Sequence, residues 1–228
     1  MTNRAKLGVS AIAAAAAIGL PLAIGWSRSA QAAASVPPAA LVEPAKGHRE
    51  VAVLAGGCFW GVEGVYEHVK GVSDVTSGFA GSKAAGASYE KVSSGATGNA
   101  EAVRIVFDPT RVSYAELLRI FFAVAHDPTE VNRQGPDVGT QYRSAIFPQD
   151  ETQREGAVAA IARANEANDG KVVTTIEPKA EWYPAEDYHQ DYWAGEGQNN
   201  AYCVAVIPPK LAKLRKSFQA RVKSEAAA

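Results

Sequence analysis

Apolar residues fall along this chain in short blocks separated by glycine, proline and polar turns. Val51-Ala52-Val53-Leu54-Ala55 is a continuous apolar run of strand length and predicts a buried strand. Gly56-Gly57 ends it. Phe59, Val62, Val65, Tyr66 and Val69 then recur at helical spacing up to Gly71, which predicts an amphipathic helix. Residues 72–79 read as a second strand, and the glycine- and serine-rich stretch 80–99 as a loop. Residues 102–107 alternate and predict a strand, stopped by Asp108-Pro109. Ser113 and Glu116 form a capping-box pattern ahead of Leu117, Leu118, Phe121 and Phe122. The polar stretch 126–139 reads as a loop, 141–147 as a strand, and 150–168 as a helix closed by Asn168-Asp169-Gly170. A strand over 172–176, an irregular aromatic-rich stretch over 178–200, a strand over 202–207 and a basic helix over 210–222 complete the reading. Strands and helices alternate, but too few strands follow in strict order for a doubly wound sheet. The pattern predicts an α+β fold, a two-layer α/β sandwich.

The first 48 residues differ in kind. Arg4 and Lys6 precede an alanine-rich apolar run over 7–26, and Ala30-Gln31-Ala32 has the form of a cleavage site. Residues 1–32 are therefore expected to be an export signal peptide, with a retained membrane anchor as the alternative. Residues 33–48, rich in alanine and proline, are expected to be a flexible linker, and 49–228 a single catalytic domain. Export in this form implies a periplasmic location.

Charge and composition narrow the function. The whole chain carries 23 basic and 24 acidic residues. Without 1–32 the balance is 20 to 24, which excludes a non-specific nucleic-acid binder. Two cysteines are too few for a disulfide-dense scaffold or a cysteine-only metal site. Glu186, Asp187, His189 and Asp191 lie close in sequence, but with one histidine among them no metal site is expected. His126-Asp127 fits either a charge relay or an ordinary loop, and the loop is favoured.

Cys58 is the most informative residue. It stands behind two glycines where a strand gives way to a helix, and the helix N-terminus favours a thiolate. A buried structural thiol is the alternative. Phe59 and Trp60 directly after it suit either ordinary core or an apolar pocket for a small alkyl group. Read from the residues alone, a cysteine peroxidase and a non-enzymatic module with a Cys58–Cys203 bond remain open.

Gly57-Cys58-Phe59-Trp60-Gly61-Val62-Glu63 resembles the signature of the A-type peptide methionine sulfoxide reductases, which reduce the S-epimer of methionine sulfoxide. The resemblance continues in Gly98-Asn99-Ala100-Glu101-Ala102-Val103, Gly139-Thr140-Gln141-Tyr142-Arg143-Ser144 and Ala185-Glu186-Asp187-Tyr188-His189-Gln190, and covers about residues 50–205. It implies a ferredoxin-like core with long irregular excursions. It also implies that Cys58 is the nucleophile, Glu101 the acid and Tyr142 the hydroxyl that holds the sulfoxide oxygen. Phe59 and Trp60 would cage the S-methyl group, with Asp137, His189 and Tyr192 lining the same pocket. Expected substrates are oxidised proteins, peptides and free methionine sulfoxide, turned over by a monomer without a bound cofactor. A thioredoxin-like protein or dithiothreitol would supply electrons.

The chain departs from the family pattern in three places. Phe79 stands where a tyrosine sharing the substrate oxygen is expected, so that hydrogen bond should be absent. Asn99 replaces a histidine. Cys203, the resolving candidate with a buried core thiol as the alternative, lies in a strand-like run instead of a glycine-rich tail.

Overall fold

The computed structural model describes residues 49–82 and 87–224. The export segment 1–32 and the linker 33–48 expected from sequence lie outside the described residues.

The strands are β1 (Glu50–Gly56), β2 (Val72–Ala80), β3 (Ala100–Phe107), β4 (Arg133–Gln134), β5 (Asp137–Val138), β6 (Ser144–Phe147), β7 (Thr175–Ile176) and β8 (Tyr183–Pro184). The helices are α1 (Phe59–Glu67), α2 (Tyr89–Ser93), α3 (Tyr114–Ile120), α4 (Glu151–Ala167) and α5 (Ala201–Ser217). Six strands form one sheet in the order β7-β6-β1-β3-β2-β8, with β6 and β7 parallel and the other pairs antiparallel. Its centre, β6-β1-β3-β2, is the order of a split β-α-β, ferredoxin-like core. β4 and β5 make a separate hairpin.

The sheet is buried on both faces, as the unbroken apolar run of β1 requires. One face carries Leu54, Val103, Ile105, Phe107 and Ile146 beneath α1 and the other helices. The opposite face carries Val53, Ala55, Ala102, Ala145 and Phe147, covered in part by Trp182 from the irregular excursion. Phe59, Phe79, Phe107, Leu117 and Phe121 are essentially inaccessible. Each such side chain contributes about 1.5–3 kcal/mol of burial.

Several elements differ from the sequence expectation for identifiable reasons. Residues 202–207 are helix, not strand, and the basic helix begins at Ala201. Asn200 caps it, its Oδ1 accepting from Tyr202 N at 2.9 Å and Cys203 N at 3.4 Å. Cys203, Ile207, Leu211 and Leu214 form one buried stripe at helical spacing. Pro208 and Pro209 lie inside this helix. The donors they remove would have served carbonyls of Val204 and Ala205, both at exposed positions that water can reach. Residues 140–142 are a single 3-10 turn, so the strand predicted over 141–147 begins only at Ser144. The strand predicted over 172–176 shrinks to Thr175–Ile176, because Val172 N and Val173 N are taken by Asn165 Oδ1 and Pro128 O. The glycine-rich stretch contains the short α2.

Ser113 caps α3 as expected, accepting from Glu116 N at 3.2 Å. The Glu116 carboxylate faces Arg119 and Arg221. α3 runs on into a π-helical turn, Phe121–Ala125, whose Phe121 O meets His126 Nδ1 at 3.0 Å. His126 Nε2 meets Ser144 Oγ at 2.7 Å. Burial holds this ring neutral, its pKa pushed down to about 3. Asp127 turns away to accept from Thr129, so the two residues form no relay through hydrogen bonds.

Candidate active site

The site forms where β1 runs into α1. Gly57 adopts φ +89°, and a Cβ there would lie 2.5 Å from Gln134 Cγ. Gln134 is itself fixed, accepting from Asp127 N at 2.8 Å and donating to Asp127 O at 3.1 Å. This clamp sets the turn that leaves Cys58 as the N-cap of α1, half-buried.

The first N–H groups of α1 have no partner within the helix. Phe59 N donates to Glu101 Oε2 at 3.0 Å, and the Trp60 N–H acts to lower the pKa of the Cys58 thiol. Glu101 stands in β3 directly opposite Phe79 of β2, and is buried. Burial, with a smaller contribution from Asp137, pushes its carboxyl up to about 8 against the pull of Phe59 N–H. The acid is therefore mostly protonated at neutral pH.

Cys58 departs from the expectation of a thiolate favoured by the helix terminus. Burial and then Glu101 push its thiol well above the usual range, and the Trp60 N–H and Tyr202 hydroxyl oppose them without prevailing. Without substrate, the thiol and the acid beside it each hold a proton.

The aromatic residues form a cage against these groups. The Phe59 and Trp60 rings are 6.1 Å apart at 48°. Tyr192 stacks on Trp60 at 4.0 Å and 14°, and its hydroxyl accepts from Asn200 Nδ2 at 3.3 Å. His189 is buried 5.1 Å from Phe59 and 5.5 Å from Trp60, with no hydrogen-bond partner on either ring nitrogen among the described residues. Burial lowers its pKa. Tyr142, at the end of the 3-10 turn, has its phenol pushed up by burial and then by Glu101, Asp137 and Cys58, which places it among those groups. Arg143 anchors that turn through Glu177 at 2.7 Å and the Gly98 carbonyl at 3.1 Å, tying Tyr142 to the start of β3.

The structure thus brings together Cys58, Phe59, Trp60, Glu101, Asp137, Tyr142, His189 and Tyr192. Two further residues join them. Tyr89 packs on His189 at 4.3 Å, and burial, Glu101 and Cys58 all raise its phenol pKa. It brings a further phenol to the cage, whereas Phe79 is core, 5.9 Å from Phe59. A lone tyrosine in a glycine- and serine-rich stretch was the available signal. Tyr202 donates to Asp137 Oδ2, and burial and then Cys58 push its phenol up. Asn99 accepts from Ser82 N at 2.9 Å, holding the two segments that flank the glycine-rich excursion.

Cys203 follows Tyr202 in the first turn of α5. Its thiol is buried on the core stripe of α5, pushed up to about 11 by burial and then by Asp137. Both cysteines are free thiols.

Residues 50–222 match the family profile described as peptide methionine sulfoxide reductase. The peptide methionine sulfoxide reductase MsrA of Erwinia tasmaniensis is 59% identical over 171 residues, 75% of this chain and 96% of that protein. The protein of the same name from Clavibacter michiganensis is 52% identical over 172 residues, 75% of this chain and 97% of that one. Among solved structures, reduced Mxr1 from Saccharomyces cerevisiae is similar at TM-score 0.62 and 31% identity, over 71% of this chain and 92% of that one. Methionine sulfoxide reductase A of Corynebacterium diphtheriae follows at TM-score 0.59 and 34% identity, over 66% and 76%. With a thiol, a protonated acid and an aromatic cage in one pocket, and the family profile spanning the whole described core, this chain belongs to the peptide methionine sulfoxide reductases and is an oxidoreductase of that family.

Proposed function

We propose that the protein reduces methionine-(S)-sulfoxide, free or in peptides, through a sulfenic acid on Cys58. The observation that carries this reading is the buried Glu101 carboxyl, its pKa raised by that burial, hydrogen-bonded to the first N–H after Cys58. A sulfoxide oxygen leaves poorly until it is protonated. The cage formed by Phe59, Trp60 and Tyr192 holds the S-methyl group, and the hydroxyls of Tyr142 and Tyr89 hold the oxygen as charge develops on it. Glu101 gives its proton to that oxygen as Cys58, losing its own proton to the same oxygen, attacks sulfur; an S–S bond forms, the substrate S–O bond breaks and water leaves. A water molecule then attacks the Cys58 sulfur, the S–S bond breaks with its electron pair going to methionine, an S–O bond forms at Cys58, and the released proton returns to Glu101. Methionine is released, reduced by two electrons, and Cys58 is oxidised by two to sulfenic acid.

Cys203 is the internal thiol proposed to resolve that acid, with loss of water and formation of a Cys58–Cys203 bond. Cys203 lies buried in the first turn of α5, which the Asn200 cap holds, and a disulfide needs the two Cα atoms within roughly 7 Å. An external dithiol, from a thioredoxin-like protein or dithiothreitol, then reduces the bond. One equivalent of substrate without reductant should consume two thiols, counted by alkylation and mass spectrometry. A stable Cys58 sulfenic acid with Cys203 still free would contradict the resolving role.

Export through residues 1–32 would place this repair activity in the periplasm, on exported proteins, with the enzyme acting as a monomer. Intact mass of the exported form should correspond to a chain starting at Ala33. A full-length chain in the membrane fraction would contradict cleavage.

A further inference from the structure

α1 and α5 pack through a glycine seam. A Cβ at Gly64 would lie 3.5 Å from Ile207 Cγ2, and one at Gly61 only 3.2 Å from Lys210 Nζ. The missing side chain at Gly61 is what admits a lysine ammonium to the first turn of the helix that Cys58 caps. Lys210 Nζ is held there by donating to Ala125 O at 2.7 Å, at the end of the π-helical turn. A partly buried cation beside the positive end of a helix is an unfavourable placement unless anions face it. Two groups supply that charge: Asp137 and, when ionised, Cys58.

We propose that Lys210 is the positioning cation of the active site, favouring the Cys58 thiolate as nucleophile and as leaving group. Burial lowers the pKa of Lys210, while Cys58 and Asp137 act to keep it charged and Lys213, one turn along α5, opposes them. Around Cys58 the other groups are Glu101 from β3, Asp137 from β5 and the neutral phenols of Tyr89, Tyr142 and Tyr202. Of these, the carboxylates oppose the thiolate. Lys210 also acts on His126, the residue after Ala125, whose pKa burial lowers.

The cation matters most in recycling. An external thiolate attacks the far sulfur of the Cys58 disulfide, the S–S bond breaks, and Cys58 leaves with the electron pair. A leaving thiol of lower proton affinity departs faster. This role rests on Cys58 being the reactive thiol, but the test below does not require turnover. A failed sulfoxide assay and a failed Lys210 assay are therefore distinguishable.

The test is the pH profile of Cys58 alkylation by iodoacetamide, followed at the Cys58 peptide by mass spectrometry. Lys210→Gln keeps a donor for Ala125 O and removes the charge. It should raise the apparent pKa of Cys58 by about one unit, slowing alkylation near neutral pH about tenfold. Lys210→Arg should leave the profile near wild type. An unchanged profile in K210Q, or an equal shift in K210R, would overturn the proposal. If K210Q does not fold, the reciprocal measurement serves. The Nζ resonance of Lys210 in the wild-type protein should shift as Cys58 titrates, and Cys58→Ser should remove that inflection. A Lys210 resonance with the same profile in both proteins would equally overturn it.

Discussion

Cys58→Ser is expected to abolish sulfoxide reduction and leave the fold intact. The structural half of that expectation rests on the N-cap position. Serine is a preferred N-cap, and the Cys58 carbonyl already accepts from Gly61 N at 3.2 Å whatever side chain it carries. Gly57 and Gln134 set the turn independently of the thiol. The chemical half rests on electron accounting. A two-electron reduction of the sulfoxide needs a group that is oxidised by two electrons, and a serine hydroxyl is neither a comparable nucleophile nor oxidisable in that way. Near-UV circular dichroism should overlay that of the wild type while turnover falls to background. Activity near wild type in the purified variant would remove Cys58 from the mechanism.

Glu101→Gln is expected to slow the reductive half-reaction by about 10²–10⁴-fold, the usual range for one general acid. The amide oxygen can still accept from Phe59 N, so the junction between β3 and α1 keeps its hydrogen bond, but no proton is available for the departing oxygen. A raised carboxyl also has a stability signature. Glu101 binds its proton more tightly in the folded chain, where its pKa is about 8, than at the ordinary value of 4.5. The corresponding stability is present below about pH 4.5 and is lost as pH rises towards 8. Glutamine has no proton to lose, so E101Q should gain thermal stability over wild type on going from pH 5 to pH 9. In the wild type, the single-turnover rate should fall above about pH 8 as the acid ionises, a limb that E101Q should lack. An unchanged single-turnover rate would exclude Glu101 as the acid.

Where one period repeated without competition, sequence reading and structure agree. The apolar block of β1, the helical spacing of α1 and the capped start of α3 are local signals, and each formed within a residue or two of its expected place. The 202–207 segment misled because Val204 and Val206 are β-branched and Pro208-Pro209 resembled a stop. The stripe that decides the matter, Cys203-Ile207-Leu211-Leu214, passes straight through both prolines. The start of β6 was placed too early because Gln141 turns its side chain inward to Ser93 O at 3.1 Å, a contact 48 residues away that no local pattern records. The same limit applies to the site. Cys58 and its aromatic neighbours are consecutive and were legible, and the remaining site residues named from sequence came through the family resemblance. Tyr89, Tyr202 and Lys210 reach the pocket from α2 and α5 only once the chain has folded. The protonation of Glu101 is likewise a product of tertiary burial, since an alternating strand gives no sign of which acidic side chain is enclosed.

A thiol peroxidase would use the same Cys58 but has no need of a methyl-sized aromatic cage beside a protonated acid. The most direct measurement is turnover of the two separated epimers of a methionine sulfoxide peptide with dithiothreitol as reductant. Consumption of the S-epimer with the R-epimer untouched is the predicted result. Consumption of hydrogen peroxide with neither epimer reduced, or reduction of the R-epimer instead, would contradict it.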